Sequence, residues 1–131
     1  MLEESSDIRV WKEVFKVLAE TVPAQIFTFD PDGTIDYFNQ RWFEYTGLTR
    51  EQSIDAALRR SVSHPDDLEK ALAKLEEALA KGEPFRCKFR LRNIASADYR
   101  WHLEQVLPVR DLNGHLIKWI CVMTDIHDEM E

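Results

Sequence analysis

The sequence predicts an α+β domain, and three observations carry that prediction. Apolar residues recur at helical spacing over residues 6–21 and again along SHPDDLEKALAKLEEALAKG. From residue 84 the period changes to two. The last strand-like run, LIKWICVMTD, is apolar at both parities, which places it in the middle of a sheet covered on both sides.

Each element has its own local reason. In the first helix Ile8, Trp11, Phe15, Leu18 and Val22 follow a 3-4-3-4 spacing, widened by Val10, Val14 and Val17. Ser6 or Asp7 is suited to cap its start, and Pro23 stops it. A stripe so wide can touch two surfaces, its own domain and a neighbour. AQIFTFDPDGTIDYF reads as a hairpin, with Pro31 setting the turn and Gly33 permitting positive φ. Asn39 caps a short helix that ends at Gly47, and Thr49 with Gln52 forms a capping box. In the long helix Pro65 takes the first turn, Asp66 and Asp67 lie at the positive end, and Gly82 closes it. Leu68, Leu72, Leu75 and Leu79 share a face, while Asp66 with Lys70 and Glu77 with Lys81 are spaced to pair. FRCKFRLR alternates Phe85, Cys87, Phe89 and Leu91 with a basic row, Arg86, Lys88, Arg90 and Arg92, read as a solvated face. The loop NIASAD leads to the strand YRWHLEQVLPVRD, and Asn113-Gly114 turns the chain into the final strand.

With 131 residues the chain suits one core, and 44% hydrophobic with 31% charged residues suits a globular domain. A net charge of −7, from 24 acidic and 17 basic residues, argues against a sequence-independent grip on nucleic acid. No apolar run approaches a membrane span, and MLEESSDIRV lacks the basic opening of a signal peptide. A cytoplasmic protein is expected. Cys87 and Cys121 have no metal-type spacing and read as reduced core residues.

Several motifs, in order, resemble the PAS domain, the sensory module of histidine kinases, cyclases and chemoreceptors. They are His64-Pro-Asp-Asp67, Arg100-Trp101, Pro108-Val-Arg-Asp111 with Gly114, Trp119, and Thr124-Asp-Ile126, preceded by FDPDGTIDYFNQRWFEYTGLTREQSI. The likeness covers roughly residues 21–127. It implies a five-stranded antiparallel sheet of order 2-1-5-4-3, with helices over one face leaving a pocket there. The expected organisation is an N-terminal amphipathic helix over residues 1–22, a PAS domain over 23–126, and the start of an output linker over 127–131.

The resemblance also implies which side chains face inward. It turns Phe27, Phe29, Phe85, Cys87, Phe89, Leu91, Trp119, Cys121 and Met123 toward the helices. In the fourth strand, burying the larger side chains would put Trp101, Leu103 and Leu107 in the core, whereas the resemblance turns His102, Glu104 and Val106 inward and Trp101, Leu103 and Leu107 outward. The candidate ligand-binding residues are therefore Phe29, Phe89, His102, Glu104, Trp119 and Met123, for an unidentified small molecule. A filled interior is the competing and favoured reading: the aromatics pack the space, and His102 and Glu104 pair with each other or with backbone. The outward set, Trp101, Leu103, Ile120 and Val122 with Ile26, forms a large apolar patch. Its expected cover is the N-terminal helix, through Trp11, Phe15 and Leu18, completed by a second copy of the chain in a homodimer.

Chemistry beyond binding finds little support. The middle helices have no cysteine for a flavin adduct. His64 and His102 are explained as cap and strand residue, which argues against haem. No cofactor is assigned and no metal is expected. His102 and Glu104 lie two apart on one strand and could act as an acid–base pair in a small isomerase-like enzyme, but no nucleophile or oxyanion hole accompanies them. At the exit, Asp125 of the Thr-Asp-Ile match is expected to cap an outgoing helix and to pair with a base, Arg110 being the expected partner. The expected function is a non-enzymatic sensory module that dimerises and relays a ligand- or partner-dependent signal to an output domain outside this chain. A pure dimerisation module with a filled pocket is the alternative.

Overall fold

The computed structural model describes residues 6–130, with side chains described from residue 9. Helix α1 (Ser6–Thr21) leads into strands β1 (Ala24–Phe29) and β2 (Ile35–Phe38). Three short helices follow, α2 (Gln40–Thr46), α3 (Arg50–Ile54) and α4 (Ala56–Arg60), and then the long α5 (Pro65–Lys81). Strands β3 (Phe85–Arg92), β4 (Tyr99–Arg110) and β5 (Leu116–Asp125) complete the sheet, and a 3-10 turn spans His127–Glu129. The strands form one antiparallel sheet of order β2-β1-β5-β4-β3. The two-sided apolarity of β5 thus has its expected cause, because β5 lies between β1 and β4. The capping residue expected for α1 lies outside the described side chains.

Local signals act as their chemistry requires. Asn39 caps α2, and Gly47 ends it at φ 72°. A Cβ at Gly47 would also meet Ile94 Cγ1 at 2.5 Å, so glycine is required there twice over. Thr49 and Gln52 close their capping box. His64 caps α5 by accepting from the Asp66 amide through Nδ1. Helix α4 was not foreseen; Asp55 caps it by accepting from the Leu58 amide. Glu77 and Lys81 pair as spaced. At the start of α5, however, Asp67 makes the pair that ties two elements together. It accepts from Arg90 Nε and Nη2 and from the Arg90 amide, at 2.8–2.9 Å. Arg90 is therefore not simply a solvated member of a basic row. Its guanidinium also lies 4.9 Å from the Trp101 ring centroid.

The sheet has two apolar faces. The inner face carries the main core, including Phe29, Phe89, Leu91, Val106, Trp119, Cys121 and Met123, under Trp42, Tyr45 and Val62. The outer face carries a smaller cluster of Ala19, Ala24 and Ile26, with Phe15, Tyr37, Ile120 and Val122 packed against it. Helix α1 thus covers the β2-β1-β5 side. Its contact face is centred on Phe15 and Ala19, not on the whole expected stripe. Trp11 is 69% exposed and Leu18 58% exposed, and Val10 and Val17 also face away from the sheet. Alanine carries little hydrophobic signal in a sequence, yet Ala19 is buried in one cluster with Ala24 and Ile26 of β1.

Candidate functional site

Between the inner face and the helices lies a cavity of about 210 Å³. Its floor is Phe27 and Phe29 of β1, Phe89 and Leu91 of β3, Glu104 and Val106 of β4, and Cys121 and Met123 of β5. Leu68, Leu72, Leu75 and Leu79 of α5 form one wall. That wall follows from the sequence, because residues four and three apart share one helical face. Arg59 and Arg60 of α4 bring two basic groups to the lining.

The six candidate ligand residues divide. Phe29, Phe89, Glu104 and Met123 line the cavity. Trp119 does not; it is buried in the core, stacked on Phe29 with ring centroids 6.2 Å apart. His102 does not either, although its inward parity is as expected. It is fully buried, edge-on to Tyr45 at 5.2 Å. His102 Nδ1 donates to the Arg100 carbonyl at 2.9 Å, leaving Nε2 to accept from Gln25 Nε2 at 3.3 Å. Burial lowers the pKa of this imidazole below its ordinary value, so the neutral ring is favoured.

His102 and Glu104 therefore do not pair, and the acid–base couple that an isomerase-like site requires is not assembled. They share a face, but successive inward positions on a strand lie too far apart to force contact, and each found another partner. The Glu104 carboxyl accepts from Cys121 Sγ at 3.5 Å and from Cys87 Sγ at 3.9 Å. These are long contacts to weak donors. Burial raises the Glu104 pKa against this modest help. Burial first, and the Glu104 carboxylate second, also push the Cys87 thiol up to about 11 and the Cys121 thiol well above its ordinary value. Both cysteines are free, and in the protonated form they are poor nucleophiles.

Asp125 stands at the end of β5. Its carboxylate accepts from Arg100 Nε at 2.6 Å and from the His127 amide at 2.9 Å. Burial opposes its ionisation, but the Arg100 hydrogen bond and the His127 amide outweigh that and hold its pKa below the ordinary value. No outgoing α-helix follows among the described residues: the exit is a 3-10 turn with Ile126 at its N-cap and no side-chain cap. Asp125 thus holds the His127 amide ahead of that turn instead of capping a helix, and the expected basic partner is corrected from Arg110 to Arg100. Arg110 instead closes α5, donating to the Gly82 carbonyl at 2.7 Å. Strand register explains the difference: Asp125 lies opposite His102, one residue from Arg100's neighbour, whereas Arg110 lies opposite Leu116 at the far end of β5.

Sequence reasoning missed Arg59, Gln25 and Tyr45. Nothing in the local pattern distinguishes Arg59 from Arg60, and Gln25 occupies an ordinary strand position. Their roles come from packing alone.

A family model described as PAS fold matches residues 35–123. The chain belongs to the PAS fold family. It is 32% identical over 117 residues to the peroxide stress-activated histidine kinase mak1 of Schizosaccharomyces pombe, a match covering 88% of this chain and 7% of that protein. Among solved structures, it resembles the N-terminal domain of a diguanylate cyclase with PAS/PAC sensor from Marinobacter aquaeolei. That match has a TM-score of 0.68 and 19% identity, over 82% of this chain and 99% of the other. The PAS domain of the fruit-fly ELK potassium channel gives a TM-score of 0.72 at 13% identity, over 89% and 98%. This chain thus spans a small fraction of the kinase's length, and at such identities the solved structures establish the fold. Among the described residues no helix is long and apolar enough to cross a membrane.

Proposed function

We propose that this chain is a sensory input module that binds a small molecule in the cavity, pairs with a second copy, and relays occupancy to an output domain. One observation carries the reading. Strand β5 lines the cavity with Cys121 and Met123, and two residues later it ends at Asp125, which holds Arg100 and the His127 amide. A ligand that shifts β5 changes how Asp125 holds the start of the exit segment, a two-state element biased by binding. Similarity to a segment of a histidine kinase, and to a cyclase's sensor region, supports an output domain of that kind. Two free thiols, one buried and one half-buried, fit a cytoplasmic setting. In this reading the domain itself performs no chemistry.

The cavity favours sensing over a pure dimerisation scaffold, because a filled interior would leave no space beside β5. A peroxide signal read directly by cysteine is disfavoured: both thiols are held in the unreactive protonated form. Native mass spectrometry of freshly purified protein tests the proposal. The expected result is a dimer retaining a small molecule. A monomer that retains nothing, and whose Cys121 and Met123 resonances no added small molecule perturbs, would overturn it.

A further inference from the structure

Two polar groups that line the cavity from opposite sides, Glu104 and Arg59, have unused hydrogen-bonding capacity. Glu104 rises from the sheet floor, and its carboxyl receives only the two thiol contacts, at 3.5 and 3.9 Å. A carboxylate offers about four accepting positions, so about half of its capacity is unused at a residue that lines the cavity. Arg59 comes from the opposite, helical side. Its Nη1 donates to the Ser53 and Ile54 carbonyls at 2.9 and 3.0 Å. Its Nε and Nη2 have no hydrogen-bond partner among the described residues. Between these groups the wall is apolar, with Phe27, Phe29, Phe89 and Met123 on the floor.

We infer that the cavity takes a small amphoteric molecule: a single ring or similarly compact apolar body, with an N–H donor directed to Glu104 and a carboxylate directed to Arg59. The inference rests on the cavity being the sensing site and adds the class of ligand. Charge decides between the simpler classes. The charged side chains of the lining are one acid on the floor and two bases, Arg59 and Arg60, on the helical side. A plain anion would satisfy the bases and leave Glu104 with two weak donors. A plain cation would satisfy Glu104 and meet uncompensated guanidinium. A wholly apolar molecule would leave both groups unmatched, and unmatched buried polar groups weaken binding. A molecule carrying both functions answers both ends. Size sets the scale: about 210 Å³ corresponds to the liquid volume of roughly seven waters. It falls below the roughly 300–1,000 Å³ typical of drug-sized sites.

Titration calorimetry and methyl NMR with four probes test this: 4-aminobenzoate, benzoate, aniline and toluene. The expected result is that 4-aminobenzoate perturbs Met123 and binds at least about tenfold more tightly than benzoate or aniline, as loss of one charge-assisted hydrogen bond implies. Glu104→Gln keeps an accepting oxygen and is expected to retain part of the preference over benzoate. Glu104→Leu is expected to abolish it, and Arg59→Met to abolish the preference over aniline. Equal binding of 4-aminobenzoate and benzoate by the unaltered protein overturns the inference without any variant having to fold. If toluene perturbs Met123 and 4-aminobenzoate does not, the ligand class is wrong while the cavity remains a binding site. If no probe perturbs Met123, the sensing site and the inference fall together.

Discussion

Glu104 is a carboxyl held where ionisation is unfavourable, and the sign of its effect on stability is defined. Its folded pKa is raised above the ordinary 4.5, so the folded state holds the proton more tightly than the unfolded chain. Stability tied to this group is fully present below about pH 4.5 and is lost as pH rises through the folded value. Glu104→Gln is therefore expected to be more resistant to urea than the unaltered domain at neutral pH, with the difference vanishing near pH 4. Parallel urea curves at all pH values would contradict the assignment. Asp125 has the opposite sign: its lowered pKa contributes stability above the ordinary value of 3.8 and loses it in acid. Asp125→Ala, placed in a fusion of this domain to a histidine kinase core, should alter kinase output while the domain's urea midpoint falls only slightly; unchanged output would remove the exit from the mechanism. The inward position of Glu104 came from the family resemblance, since side-chain size alone would have turned Trp101 and Leu103 inward, and Asp125 was marked by the Thr-Asp-Ile motif. The partner of Asp125 was not, because motif order gives no strand register.

At the scale of elements, Asn39 joins three of them. It is fully buried, and its side chain accepts from the Ile26 and Trp42 amides and donates to the Ala19 and Ala24 carbonyls. The residue that caps α2 thus also fixes the end of α1 against β1. Asn39→Ala leaves several buried backbone groups unmatched and should cost about 3 kcal/mol or more. A urea-unfolding loss below about 1 kcal/mol, as expected of a cap alone, would contradict this joining role. The sequence showed the cap and not the joint, since capping is a signal three residues long and the other three bonds cross the chain. The same distinction separates the successes from the misses elsewhere. The caps at Asn39, Thr49 and His64 and the alternation of β3 are local, and they appeared as read. Ala19 beneath α1, Arg90 on Asp67 and Arg59 in the cavity depend on how elements meet, which periodicity does not contain.

For the whole molecule, the sheet is covered on its inner face by α2 to α5 and on part of its outer face by α1. The rest of the outer face is open, with Leu107 exposed, and so is the far side of α1, where Val10, Trp11, Val17 and Leu18 are exposed. An apolar surface of this kind is expected to pair with its copy. Sedimentation of the Trp11→Glu variant should show a shift toward monomer relative to the unaltered chain; identical mass distributions would remove α1 from the interface. Trp101→Glu should act more weakly, because Arg90 already lies over that ring.

The relay from cavity to exit is tested most directly by hydrogen exchange at one amide. The His127 N–H donates to Asp125 Oδ1, and β5 connects that carboxylate to Cys121 and Met123 at the cavity. Exchange at His127 is measured with the cavity free and with it filled by a saturating small molecule, using the His115 amide in the remote turn as reference. The account predicts that filling the cavity changes His127 exchange several-fold and leaves His115 unchanged. A His127 rate that stays constant while Met123 reports a full cavity would contradict it.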